Sequence, residues 1–117
     1  MTRMKLTDKE QTDIGMDYSK MCPKYEAAID LLGKKWTGLI IRVLLGGSKR
    51  FRDIKEQILE MSDKMLADRL KELEALGIVK RTVYPETPVR IEYGLTEKGA
   101  ALESVIRSIQ HWSDHWL

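Results

Sequence analysis

Residues 62–77, S-D-K-M-L-A-D-R-L-K-E-L-E-A-L-G, constrain this chain most, because they read as one helix whose two ends are both written in the sequence. Ser62 stands where a side-chain oxygen accepts from the unpaired N–H groups of a first turn. Met61 before it is placed to staple onto Leu66, and Gly77 supplies the left-handed residue that ends a helix. Met65 occupies the position where a reciprocal capping box needs Glu or Gln, so only the forward half of that cap is present. Leu66, Leu70 and Leu73 share one face at i, i+4 and i+7, with Lys64, Asp68, Lys71 and Ala75 roughly opposite. The leucine face demands a core, and the opposite face is left free.

Shorter helices are expected before it. Pro23 suits a first helical position, and Tyr25, Ala28, Ile29 and Leu32 then form an apolar stripe ended by Gly33. Trp36, Leu39, Ile40, Val43 and Leu44 predict a helix over residues 35–45, closed by Gly46-Gly47. Phe51, Ile54 and Ile58 predict a short one over residues 51–59. After residue 77 come two runs rich in Val, Ile, Thr and Tyr, residues 78–84 and 89–93. The P-E-T-P between them marks a turn, so the pair reads as a β-hairpin. Thr96 is a suitable cap for a last helix over residues 97–116. Its stripe of Leu102, Val105, Ile106, Ile109, Trp112 and Trp116 is long for one small domain, so a second copy of the chain is expected against it.

A length of 117 residues implies one domain, and 43% hydrophobic with 32% charged residues describes a globular protein. The organisation expected is a polar arm or helix over residues 1–20 and a single domain over 21–117. The longest apolar run, residues 39–45, is broken by Arg42 and is too short to span a bilayer. With no leader visible at the N-terminus, the expected location is cytoplasmic, away from membranes. Cys22 is the single cysteine, which excludes an intrachain disulfide or a multi-cysteine zinc site. His111 and His115 lie at i, i+4, but Trp112 stands where a metalloprotease helix needs Glu. Neither a metal nor a cofactor is expected, and without a Gly-rich phosphate loop or clustered carboxylates the chain does not read as an enzyme. Net charge is only +2, yet residues 33–52 carry Lys34, Lys35, Arg42, Lys49, Arg50 and Arg52 with no acid. Such a local block, more than total charge, decides where phosphates bind.

Three successive helices followed by a hairpin are the layout of a winged helix-turn-helix, a mainly α fold with a small β wing (α+β). The 62–77 helix is then the one whose first turns enter a major groove about 12 Å wide. The motifs L-L-G-K-K-W-T-G-L-I-I (residues 31–41), K-R-F-R-D-I (49–54), S-D-K-M-L-A-D-R-L-K-E-L-E (62–74), G-I-V-K-R (77–81) and P-V-R-I-E-Y-G-L-T-E-K-G (88–99) make the resemblance specific. The chain resembles the HxlR-type winged-helix bacterial repressors, related to the MarR-like regulators. That resemblance implies a homodimer, joined through terminal helices, on double-stranded DNA carrying an inverted repeat. The expected base-reading residues are Ser62, Asp63, Lys64 and Met65, with Arg69 one turn on; for Arg69 the competing role is an ion pair with Glu72. Lys49, Arg50 and Arg52 suit phosphates, and Arg81 and Arg90 on the wing suit phosphates or a narrow minor groove, unless Glu86 or Glu92 pairs with them.

Within that family, M-C-P-K (residues 21–24) resembles the start of the regulators that sense quinones, diamide and other thiol-reactive electrophiles. Cys22 at a helix N-terminus beside Lys20 and Lys24 sits where the thiolate, the reactive form, is favoured. The expected switch is modification of Cys22. With no second cysteine, the products are an S-alkyl adduct, a mixed disulfide, or a Cys22 pair across two subunits. Two other readings stay open: a winged-helix module that binds protein, and a repressor that takes a phenolic ligand reversibly while Cys22 stays passive.

Overall fold

The computed structural model describes residues 16–117; the arm expected over residues 1–20 therefore lies mostly outside the described residues. Two units are distinguished, one ending at Asp30 and the other spanning Leu31–Leu117. In the first, a turn at residues 18–19 precedes Cys22, whose carbonyl accepts the Glu26 N–H at 2.9 Å. Helix α1 (Pro23–Leu32) begins there, as the proline predicts. It buries none of its residues: Tyr25 and Ile29, expected to face inward, are exposed.

The second unit runs α2 (Thr37–Leu44), α3 (Phe51–Gln57), α4 (Asp63–Ala75), β1 (Val79–Tyr84), β2 (Arg90–Leu95), α5 (Glu97–Ala100) and α6 (Glu103–Trp116). Its core is aliphatic: Ile40, Ile41 and Leu44 of α2, Ile54 and Ile58 at α3, Met61, Leu66, Leu70 and Leu73 at α4, then Ile78, Val79 and Ile106. Burying these side chains at roughly 1.5–3 kcal/mol each is what holds α2, α3 and α4 together. Met61 and Leu66 are both fully buried, in keeping with the staple.

The strands pair antiparallel, Val79 opposite Leu95 through Tyr84 opposite Arg90. Lys49 adds a one-residue third edge by exchanging two 2.8 Å backbone bonds with Tyr93. The hairpin is thereby tied to the segment that opens α3.

Three helices differ from their expected spans, the one expected over residues 51–59 ending already at Gln57. The one expected from residue 35 starts only at Thr37, because Trp36 has φ 80°, a left-handed backbone that no helix interior accepts. The one expected over residues 97–116 is broken into α5 and α6. At the break, the Leu102 N–H bonds back three residues to the Gly99 carbonyl, a tight turn in place of a helical step. Gly99 itself has no room for a side chain, since a Cβ there would strike the Ile78 carbonyl oxygen.

Candidate nucleic-acid interface

Helix α4 begins and ends as its residues dictate. Ser62 Oγ accepts the Met65 N–H at 3.1 Å. At the other end Gly77 has φ 75°, its N–H reaches the Glu74 carbonyl at 3.0 Å, and the Ile78 N–H reaches the Leu73 carbonyl at 2.9 Å. This pair of bonds is the Schellman arrangement, with Ile78 and Leu73 both buried beneath it. With the leucine stripe inside, Ser62, Asp63, Lys64 and Lys71 are exposed, while Met65 is half-buried against the core.

Lys64 leans on Asp68 one turn ahead, Nζ to Oδ2 2.9 Å, but its side chain remains 85% exposed. The hydrogen bond from Lys64 holds the Asp68 carboxyl below the usual range. An ion pair this open is worth little in water, so Lys64 is free to leave it for a base or phosphate. Arg69 is placed otherwise. Its side chain is 14% exposed, with Nε on the Lys35 carbonyl at 3.2 Å and a terminal nitrogen on Glu72 at 3.3 Å.

The basic segment before α3 lies beside the hairpin through the Lys49–Tyr93 bridge. Arg50 and Arg52 are exposed, and neither makes an ion pair or side-chain hydrogen bond among the described residues. Among the described residues Lys49 Nζ hydrogen-bonds only the Gly47 carbonyl, at 3.5 Å. On the hairpin, the alternation of strands separates the two arginines expected to act together. Arg81 stands opposite Tyr93 and Arg90 opposite Tyr84, positions of opposite parity on the ladder and therefore opposite faces. Arg81 is exposed and free of ion pairs among the described residues. Arg90 is held by Glu86 at 2.8 Å and by Glu92, with its guanidinium 3.8 Å from the centre of the Tyr84 ring. Glu86 answers with a lowered pKa, chiefly from the Arg90 hydrogen bonds and in smaller part from Arg50.

Cys22 is exposed at the start of α1. It borders a hollow of about 620 Å³ whose lining includes Met16, Tyr18, Met21 and Tyr25. Among the described residues no group of His, Cys, Asp and Glu is arranged to hold a metal ion, and no helix is long and apolar enough to cross a membrane.

Sequence reasoning missed a set of side chains behind α4. Lys34 reaches Glu72 at 3.2 Å, Thr96 Oγ1 donates to the Gly77 carbonyl at 2.5 Å, and Lys98 Nζ donates to the Leu76 carbonyl at 2.7 Å. They lie 38, 19 and 22 residues from their partners, beyond the reach of any local pattern.

The successive helices, with the capped α4 among them, and the hairpin define a winged helix-turn-helix DNA-binding protein. Residues 31–117 match the HxlR-like helix-turn-helix family, and the chain belongs to that family of transcriptional regulators. It is 58% identical over 96 residues to the HTH-type transcriptional regulator YodB of Bacillus subtilis, covering 82% of this chain and 86% of that one. Its fold is similar to the reduced form of YodB from B. subtilis, with TM-score 0.76 over 83% of this chain and 95% of that one at 58% identity. Quinone-bound YodB is also similar, with TM-score 0.72 and 53% identity over 82% of this chain and all of that one.

Proposed function

We propose that this regulator is a repressor that binds an inverted-repeat operator as a homodimer and releases it when Cys22 is modified by a quinone, diamide or a related electrophile. The carrying observation is the outward face of α4, where exposed Lys64 stands in the capped first turn and exposed Lys71 two turns on, together with Arg50, Arg52 and Arg81, exposed and unpaired among the described residues. In this reading Ser62, Asp63, Lys64 and Met65 read bases, and Lys49, Arg50, Arg52 and Arg81 take phosphates. Arg90, already matched by two carboxylates, shapes the wing.

The second copy is supported by an apolar surface: Val105, Ile109, Trp112 and Trp116 of α6 and Leu39 of α2 are exposed. Small soluble domains rarely leave such a surface uncovered. The sensing step is supported by the exposure of Cys22 beside an apolar hollow, and by the quinone-bound form in which its relative YodB is known. Addition of the Cys22 thiolate to a quinone ring carbon makes an S–C bond and sends an electron pair to the carbonyl oxygen. That oxygen takes up a proton, and the hydrogen on the attacked ring carbon passes to the other carbonyl oxygen, leaving a hydroquinone thioether. With diamide, two thiols lose two electrons and two protons to the N=N bond, which becomes a hydrazine, and the sulfurs become a disulfide.

Gel shifts with and without a quinone or diamide test the switch. Wild type is expected to release the duplex and Cys22→Ser to hold it; release by both variants removes Cys22 from the mechanism. The Tyr-lined hollow also favours a second reading, a reversibly bound phenol. In that case a phenol unable to react with thiols dissociates both variants from DNA alike.

A further inference from the structure

Glu72 is oddly placed for a DNA-reading helix, an acid in the second half of α4 where it opposes both the helix dipole and a polyanion. Its surroundings explain it. One carboxylate oxygen takes Lys34 Nζ at 3.2 Å and the other takes Arg69 at 3.3 Å. Arg69 spends its remaining reach on the Lys35 carbonyl, Nε to O 3.2 Å. The peptide that carries that carbonyl leads into Trp36, whose φ of 80° and ψ of −21° are a conformation a bulky residue keeps only where its surroundings over-determine it. The Trp36 ring in turn packs against the core, with Lys35 Nζ 4.9 Å from its centre.

We propose that Arg69, Glu72 and Lys34 are positioning residues, a charged junction that locks the 33–36 turn, with its left-handed Trp36, to the reading helix and so sets how α4 is presented to the operator. None of the three touches DNA. Lysine cannot replace Arg69, because one compact ammonium does not span a carbonyl and a carboxylate that the guanidinium fork serves together. The inference rests on the DNA-binding reading above.

The test uses the full chain with Glu72→Gln, Arg69→Lys and Lys34→Met, measured on the inverted-repeat duplex and on a scrambled duplex across a range of salt. A purely electrostatic role for Glu72 requires that its neutralisation strengthen binding. The junction requires the opposite, a loss of about tenfold on the operator, the scale of one member of a coupled network. Binding to the scrambled duplex and the salt slope stay at wild-type values. Lys34→Met with Glu72→Gln together is expected to cost no more than Glu72→Gln alone. Tighter operator binding by Glu72→Gln overturns the proposal, as does a salt slope smaller by about 0.9 in Lys34→Met, the mark of a lost phosphate. If a variant at Arg69 does not fold, the exposed Lys34 and the half-buried Glu72 carry the same test. The Trp36 indole N–H resonance of the free protein gives a readout independent of DNA: it shifts in all three variants if the junction sets the turn. An unmoved resonance overturns the junction even where wild type binds DNA, and a wild type that ignores DNA while the resonance shifts overturns only the repressor reading.

Discussion

At the scale of single residues, the outcome for each cation depends on what lies beside it, and identical side chains separate accordingly. Arg81 is exposed with no acid paired to it among the described residues, whereas Arg90 is clamped by Glu86 and Glu92 over the Tyr84 ring. Arg81→Ala is therefore expected to weaken all DNA binding and lower the salt slope by about 0.9, read from affinities at several salt concentrations. Arg90→Lys keeps the charge and loses the clamp, so it leaves that slope unchanged. The clamp also carries a pH dependence. Glu86 has its pKa lowered by folding, so its contribution is present above the ordinary glutamate value of 4.5 and is lost as pH falls through the lower folded value. An NMR titration is expected to show the Arg90 side-chain signals, shifted by the Tyr84 ring, moving toward random-coil positions only in that acid range. Glu86→Gln abolishes the step. Ser62→Ala removes the bond to the Met65 N–H and is expected to cost about 1 kcal/mol in a urea melt.

Among the elements, α4 is held from behind at its C-terminal end. Its last turn contains no basic residue, and Lys98 from α5 supplies the missing cation by donating to the Leu76 carbonyl. Thr96 caps α5 through the Gly99 N–H at 3.1 Å and at the same time donates to the Gly77 carbonyl. The sequence shows Thr96 as a cap, but nothing local shows that it also closes the end of a helix 19 residues earlier. Thr96→Val is expected to cost about 1–2 kcal/mol, since it removes a cap and strands a carbonyl. Chemical denaturation measures that loss, and hydrogen exchange is expected to rise at residues 76–79 first.

For the whole molecule, the α6 stripe divides in two. Ile106 is buried in the core and Leu102 packs against it, while Val105, Ile109, Trp112 and Trp116 point outward. A heptad-like stripe satisfied on one side only fits a helix shared between copies. Sedimentation is expected to give twice the 13.5 kDa chain mass for wild type and a monomer for Trp112→Glu. That variant is also expected to lose its preference for the inverted repeat over a single half-site, because paired half-sites reward only a dimer.

What the sequence by itself determined is the set of elements and the ends of α4, because caps, stapling residues, leucine spacing and turn prolines act over a few residues and are visible in one dimension. It also marked the acid-free block and the lone Cys22. Only the tertiary structure decided that Trp36 takes a left-handed backbone, that the last helix breaks after α5, and that Arg69, for which pairing with Glu72 is one of two roles legible in the sequence, also turns inward to the Lys35 carbonyl. Each of those depends on a partner far along the chain, where packing and hydrogen bonding override what the neighbouring residues prefer.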